Sequence, residues 1–145
     1  MTEEVTTNEV VEYEENVNGA GIGGIAISTF GKSIEESKRA YSVVNSSEYL
    51  HEGLMNKELQ VTNVILERGE RRSRETGELV ECVNSYICTA DGKSYFTQSA
   101  GIARGLASIY RLVPDFKDAE GNPIKIMIKS KKLNNGNTLK VVEWV

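Results

Sequence analysis

The order of structural elements predicted after residue 57 constrains the fold of this chain more than any other feature of its sequence. Alternating apolar residues, punctuated by turn signals, predict strands at residues 58–67, 79–89, 94–98, 124–129 and 138–145. Ser99 can cap a helix that extends to Leu112, and Pro114 prevents its continuation. The predicted order is therefore three strands, one helix and two further strands.

Five strands with a helix between the third and the fourth are typical of the OB-fold, a small barrel that binds oligonucleotides and oligosaccharides. We therefore expect a mainly β protein built on a five-stranded OB-fold barrel. In such barrels the face of the second and third strands and the first and fourth loops hold extended polymers. Nucleic acid is the first ligand to consider, although the fold alone also allows an oligosaccharide.

A second helix is predicted ahead of the barrel. Ser33 can cap it, while Glu36 reaches back in a capping box and suits the positive end of the helix dipole. Ile34, Tyr41 and Val44 recur at helical spacing and form one mostly apolar face. We expect this face to pack against the barrel.

Charge divides the chain into an acidic tail and a mildly basic body. The net charge is −4, but the first 24 residues hold six glutamates and no lysine or arginine, so the remaining 121 carry 17 basic and 15 acidic groups. The tail has no helical or strand period and is rich in polar residues, so we expect it to be disordered in the free protein. Residues 1–24 are assigned to this tail and residues 25–145 to an OB-fold nucleic-acid-binding domain.

The acidic tail has more than one plausible role. It can be a solubilising extension, or its carboxylates can occupy the basic groove of the body and compete with DNA. Alternatively, Val10, Val11 and Tyr13 form a short apolar patch that docks on a neighbouring subunit or partner. The glycine run at 19–24 formally matches a dinucleotide-binding fingerprint, but it lacks the strand before it and the helix after it, so we expect a hinge.

Two segments of the expected barrel are basic. The loop at residues 68–77 contains arginine rather than lysine, which favours bidentate phosphate contacts and stacking on bases. Its four arginines are Arg68, Arg71, Arg72 and Arg74. The end of the fourth strand and the loop after it supply Lys129, Lys131 and Lys132. Both segments are expected to follow the phosphates of a nucleic acid, and solvated charge is the alternative interpretation.

The second and third strands are expected to form a tight hairpin. Asp-Gly between two strands is a strong hairpin signal, because the favoured two-residue turn needs positive φ at both central positions. With Asp91 and Gly92 as the loop residues, Lys93 follows the turn on the surface. The expected pairs are Thr89 with Ser94, Cys88 with Tyr95, Ile87 with Phe96, and Tyr86 with Thr97.

This register gives the hairpin two faces. The face with Cys82, Tyr86, Cys88 and Tyr95 is the more apolar and suits the barrel interior. The opposite face, with Ile87 and Phe96, is then exposed, and Phe96 can stack on bases, with one of the tyrosines as a further candidate. The reversed assignment, with Phe96 in the core and Tyr86 and Tyr95 outside, stays open.

Cysteine usage and hydropathy set limits on location and chemistry. Cys82 and Cys88 are expected to be buried free thiols in a reducing compartment. The sequence has no apolar run of membrane-spanning length and no signal-peptide pattern. We therefore expect a soluble, cytoplasmic protein with no membrane partner. His51 has no Cys or acidic cluster beside it, and no nucleophile or phosphate-binding loop is evident. We therefore expect no metal, no cofactor and no enzymatic activity.

Several short motifs resemble single-stranded-DNA-binding proteins of phages and conjugative plasmids from Gram-positive bacteria. They are Leu59-Gln60-Val61-Thr62-Asn63-Val64, Glu75-Thr76-Gly77-Glu78, Asp91-Gly92-Lys93-Ser94-Tyr95 and Ser99-Ala100-Gly101-Ile102. The resemblance covers about residues 25–145. It implies an OB-fold that coats single-stranded DNA during replication or conjugative transfer, with several subunits aligned along one strand.

Two functions from different classes follow from the sequence. The first is a single-stranded-DNA-binding protein without strong sequence preference, for which duplex DNA or RNA is a further ligand to test. The second is a protein-interaction adaptor, whose barrel presents its face to a peptide and whose tail binds another partner. The modest charge of the body favours the adaptor, and the arginine loop favours DNA.

Overall fold

The computed structural model describes residues 25–145. Within this range the chain forms seven β-strands and two α-helices, together with a 3-10 turn at Glu52–Leu54. The elements in chain order are β1 (Ile25–Ser28), α1 (Ile34–Ser46), β2 (Glu48–Tyr49), β3 (Glu58–Arg72), β4 (Leu79–Thr89), β5 (Ser94–Thr97), α2 (Ala100–Leu112), β6 (Ile124–Lys132) and β7 (Thr138–Trp144). The five predicted strands and both predicted helices are present. Residues 1–24, with the predicted tail and hinge, lie outside the described residues.

The strands form one curled, mixed sheet that wraps into a half-barrel. Its order is β2-β5-β4-β3-β6-β7, and β1 also pairs with β3. The β2–β5 pair is parallel, whereas the other pairs are antiparallel. Strand β3 is the longest and pairs with three others, so the sheet is organised around it.

A β-bulge bends β3 near its start. The register with β4 shifts between Val61 and Asn63, so that Val61 and Val64 both face the main core and are completely buried. Bulges insert one residue and bend a strand, which lets a sheet curl. The bulge is anchored to the segment that follows β1, because the Thr29 hydroxyl donates to Asn63 Oδ1 over 2.7 Å.

The β4–β5 hairpin has a register that differs by one residue from the predicted one. Tyr86 pairs with Phe96, and Ile87 pairs with Tyr95. The loop contains three residues, not two: Gly92 N–H donates to Thr89 O over 3.0 Å, and Gly92 alone in this turn has a positive φ, of 87°. Three-residue loops of this kind carry one glycine in the left-handed region. Because side chains alternate, a slip of one residue changes which of them share a face.

The sheet is covered on both faces, and each helix closes a separate apolar cluster. The main core lies between the concave face and α2, and includes Val64, Leu66, Ile87 and Leu106. The second cluster lies on the opposite face under α1, around Ile65, Tyr86 and Cys88 with Ala40 of the helix. Burial on both faces explains why β3 and β4 are apolar along much of their length.

Helix α1 begins where the sequence predicts, but only part of its predicted apolar face packs against the sheet. The Ser33 hydroxyl accepts from Glu36 N–H over 3.1 Å, which confirms the predicted cap. Ile34 and Tyr41, however, are about 70% exposed (70% and 71%), whereas Ala40 is buried against the sheet. Val44, the third member of the predicted face, packs against the second cluster beside Ala40, so the predicted face is correct only in part.

Two glycines let α2 lie close to β7. A Cβ atom at Gly101 would overlap the carbonyl oxygen of Lys140, and one at Gly105 would lie 2.7 Å from Val142 Cβ. The two positions are four residues apart and therefore share one face of the helix. The contact fixes the helix against the strand that ends the sheet.

We predict that Gly101→Ala destabilises the protein by about 1 to 3 kcal/mol, the usual cost of overpacking. At an unconstrained helix site, Gly→Ala would instead stabilise the protein by about 1 kcal/mol through its higher helix propensity. A loss of unfolding free energy therefore indicates the close contact with β7. Urea unfolding followed by circular dichroism measures it. Ser37→Ala, at an exposed position of α1, is the control and should not lower stability. A Gly101→Ala protein at least as stable as wild type would contradict the close packing.

Candidate nucleic-acid interface

Three aromatic side chains form a row across strands β2, β5 and β4. Tyr49 is the register partner of Phe96, and Phe96 is the partner of Tyr86, so all three project from the same face. The ring centroids of Tyr49 and Phe96 are 5.5 Å apart in an edge-on arrangement, and those of Phe96 and Tyr86 are 5.2 Å apart. These distances lie in the favourable range for aromatic pairs. We call Tyr49, Phe96 and Tyr86 the aromatic row.

Exposure increases along the aromatic row toward the edge of the sheet. Tyr86 is 6% exposed, Phe96 is half-buried against α1, and Tyr49 is 77% exposed. The Tyr86 hydroxyl donates to Glu67 Oε1 over 2.9 Å. Burial, followed by this hydrogen bond, raises the pKa of Tyr86 above its usual value. Tyr86 therefore stays neutral and supports Phe96 from behind, while Tyr49 and Phe96 offer ring surface to a ligand.

Two residues of the hairpin that the sequence assigns to the interface face the core instead. Ile87 is completely buried in the main core, and Tyr95 is 4% exposed, with its ring 6.3 Å from that of His51 between centroids. The shifted register places them on the opposite face from Phe96. This burial corrects the prediction that the face with Ile87 is exposed, and it removes Ile87 and Tyr95 from the accessible surface. The register corrects the prediction that Tyr86 and Phe96 lie on opposite faces.

Three of the four arginines, Arg68, Arg71 and Arg72, lie on a long two-stranded arm rather than in a loop, and Arg74 lies in the connection at its end. Strand β3 continues to Arg72 and pairs with β4 as far as Leu79, so only residues 73–78 form the connection. By strand alternation Arg71 projects from the same face as the aromatic row, while Arg68 and Arg72 project from the other face. The arm thus presents basic groups in two directions.

The arginines differ in how strongly the protein itself holds them. Arg68 is half-buried and forms a 2.5 Å ion pair with Glu81. Arg72 donates to the carbonyl oxygen of Gly77 over 2.8 Å. Arg71 and Arg74 are exposed at the end of the arm, and neither forms an ion pair with another residue of 25–145. Arg71, Arg72 and Arg74 are therefore the more accessible cations.

Polar amides lie between the aromatic row and Arg71. Gln98 Nε2 donates to Asn84 Oδ1 over 2.9 Å and to Glu70 O over 3.3 Å. Asn84 is two residues from Tyr86 along β4 and therefore shares its face. The face that carries the aromatic row continues toward the arm as a polar surface rather than an apolar one.

The predicted lysines lie at two separate turns. Lys131 and Lys132 are exposed near the end of the β6–β7 hairpin, whereas Lys129 forms a 2.9 Å ion pair with Glu143 across the two strands. Lys93 is exposed beside the β4–β5 turn. These lysines are accessible to a ligand, with the charge of Lys129 partly compensated.

The sequence does not reveal the outermost member of the aromatic row. Tyr49 belongs to a strand of two residues, too short for an alternating pattern, and it joins β5 by parallel pairing. Its exposure and its position beside Phe96 depend on how α1 and the following turn return the chain to the sheet edge. No signal available in the sequence would have identified it.

No protein-family model, curated protein or solved structure matches this chain. In the described range, none of the helices combines the length and apolar character needed to cross a membrane. Residues 25–145 also contain no group of three or more His, Cys, Asp or Glu side chains that could hold a metal ion.

Both cysteines are buried thiols that form no disulfide within the described residues, as predicted, and burial raises the pKa of Cys88 to about 11. The nearby charge of Arg39 acts in the opposite direction but is the smaller effect.

We predict that Cys88 in a Cys82→Ser protein reacts with a disulfide reagent at least about tenfold more slowly when folded than in urea, because the thiolate is the nucleophile. Absorbance of the released thiol measures the rate. Equal rates would contradict the position of Cys88 beneath α1.

Proposed function

We propose that residues 25–145 form an OB-type barrel that coats single-stranded DNA without strong sequence preference and without catalysis or a cofactor. The observation that carries the proposal is the aromatic row, which ends in a largely exposed tyrosine on a face that also bears Arg71. Aromatic platforms combined with cations are the usual means of binding single strands regardless of sequence.

The strand order supports the OB-type assignment. Of the five long or hairpin strands after residue 57, the first, β3, pairs with both the second, β4, and the fourth, β6, and α2 lies between the third and fourth. An OB barrel is a partly open, five-stranded Greek-key barrel. In that assignment β4 and β5 are its second and third strands, which carry the ligand face, and the β3–β4 and β6–β7 connections are its gripping loops.

The chemistry of the face suits single-stranded nucleic acid. Bases can stack on Phe96 and Tyr49, while Arg71, Arg72 and Arg74 neutralise phosphates from the arm. The exposed Lys131 and Lys132 supply a second set of charges at the other connection. Base stacking tolerates every sequence, because each base has a π-face.

The biological setting of the proposal depends on the sequence resemblance to proteins of phages and conjugative plasmids. We place the protein in the cytoplasm, where it coats single strands produced in plasmid conjugation or in phage or plasmid replication. Several copies then align along one strand, with Val10, Val11 and Tyr13 of the tail as the candidate contact between them. Comparison with duplex DNA and RNA tests the preference for single-stranded DNA.

We predict that Tyr49→Ala and Phe96→Ala each weaken binding of oligo-dT by about 1 to 3 kcal/mol, the usual contribution of one stacked base. Fluorescence anisotropy with a labelled oligonucleotide measures the loss. Tyr41→Ala is the matched control, because Tyr41 is 71% exposed, close to the 77% of Tyr49, but lies on α1 away from the strand pairing. Equal affinities for the Tyr49→Ala and Tyr41→Ala proteins would contradict stacking on the row.

We also predict that replacing Arg71, Arg72 and Arg74 together with alanine nearly abolishes binding at moderate salt. The slope of log affinity against log salt should become shallower by about 2, taking about 0.7 per phosphate for single strands. Replacement of Lys32, Lys57 and Lys117, three exposed lysines outside the arm, is the control for the same change of charge.

The two triple variants separate specific contacts from general attraction. Equal weakening by both would indicate only nonspecific attraction and contradict a role for the arm. If the wild-type protein binds no single strand even at low salt, the DNA proposal fails and the protein-interaction adaptor becomes the better explanation.

A further inference from the structure

A cleft of about 430 Å³ lies between helix α1 and the β4–β5 turn. It is distinct from the aromatic row, whose three residues do not line it. One wall is a side of α1, the other is the hairpin end near Gly92, and Phe30 and Cys88 contribute to its interior. The volume is in the range of sites for small organic ligands, about 300 to 1,000 Å³.

Three cations line this cleft, and no carboxylate does. They are Lys38 and Arg39 of α1 and Lys93 of the hairpin. Arg39 is partly compensated by Glu36, at 2.6 Å, and lies 5.2 Å from the centroid of the Phe30 ring. Within residues 25–145, Lys38 and Lys93 form no ion pair. Arg39 and Lys93 are thus partly compensated, by Glu36 and by the nearby carboxylate of Asp91, whereas Lys38 keeps its charge without an ion pair in the described part of the protein.

Hydroxyl groups add neutral hydrogen-bond donors to the same walls. Ser42 lies on α1 between the cations and the helix end, and its hydroxyl makes no hydrogen bond within the described residues. Gly92 on the opposite rim has no side chain to block entry, and nothing lies within 4 Å of the position a Cβ would take. Ammonium groups with nearby hydroxyl donors favour phosphate oxygens, and such charge-assisted hydrogen bonds are the strong ones.

The remaining lining suits the rest of a nucleotide. Val43 and Cys88 are apolar, and the ring of Phe30 lies beneath Arg39. A site with a charged end and an apolar wall fits a phosphate group joined to a sugar or base better than it fits a bare inorganic anion. The carboxylate of Asp91 lies at the neighbouring turn, where it accepts from Lys93 N–H, and is not part of the lining.

We infer that the cleft between α1 and the β4–β5 turn binds a phosphate-bearing nucleotide unit, with Lys38 and Lys93 on the phosphate. The unit can belong to a single strand that continues past α1, or it can be a free nucleotide. Because the cleft and the aromatic row share no residue, the two sites can be tested separately.

The test compares the wild-type protein with Lys38→Ala/Lys93→Ala and with a control of equal charge, Lys57→Ala/Lys117→Ala, whose exposed lysines lie outside the cleft. Thymidine 5′-monophosphate, thymidine and inorganic phosphate are titrated at low salt by calorimetry, and labelled oligo-dT by anisotropy over a range of salt. Ser42→Glu, which adds a negative charge to the cleft, is a second variant.

A free-nucleotide site predicts that the monophosphate binds at least about tenfold more tightly than thymidine, and that both cleft variants, but not the control, lose at least about tenfold in affinity. A site for the strand predicts that Lys38→Ala/Lys93→Ala makes the salt slope of oligo-dT binding shallower by about 0.7, the contribution of one phosphate. The inference is overturned if neither probe distinguishes the cleft variants from the control. The monophosphate arm remains informative even if the protein binds no DNA, so failure of this site and of the proposed function are distinguishable.

Discussion

The turn between β4 and β5 determines which side chains this protein shows to its surroundings. Asp91 holds the turn, since its Oδ1 accepts from the Thr89 hydroxyl over 2.5 Å and from Lys93 N–H over 3.2 Å. The hydrogen bond from Thr89 is the main reason that the pKa of Asp91 lies below its usual value. Three loop residues rather than two place Phe96 beside Tyr86. The aromatic row, the burial of Ile87 and the cleft at Gly92 all depend on that register.

Burial on both faces of the sheet explains why so little of the aromatic row is exposed to solvent. Helix α2 covers the concave face through close contact at its glycines, and α1 covers part of the convex face through Ala40. What remains open on the convex face is the edge at Tyr49, the polar surface near Asn84 and the arm beyond it. This open surface extends from Tyr49 past Asn84 to the arm. Its elongated form suits a polymer better than a single small ligand.

The sequence predicted the elements better than their mutual arrangement. The caps at Ser33 and Ser99 and the bounds of α2 are local features, and the structure confirms them. The register of the β4–β5 hairpin depends on turn length, which Asp91-Gly92 leaves undetermined, since that dipeptide suits loops of two or three residues. The arginine segment is too polar for the alternating pattern, yet pairing with β4 extends the strand through Arg72.

The candidate site is a product of long-range pairing, and this limits what the sequence could reveal. The sequence identified Phe96 and the arginines by residue type, but Tyr49 joins the row only through a two-residue strand whose partner lies 47 positions along the chain. Tyr86 and Tyr95 look alike in the sequence, and only the register decides that the first supports the row and the second enters the core.

The central claim is that a single strand of DNA lies across the exposed end of the aromatic row. Titration of the folded protein with unlabelled oligo-dT, followed by NMR of the aromatic ring resonances, tests it most directly. We predict upfield ring-current shifts for Tyr49 and Phe96 that saturate with binding, while Tyr41 on α1 stays unchanged. Saturable binding with the Tyr49 and Phe96 resonances unmoved would show that DNA lies elsewhere on the protein and would contradict the claim.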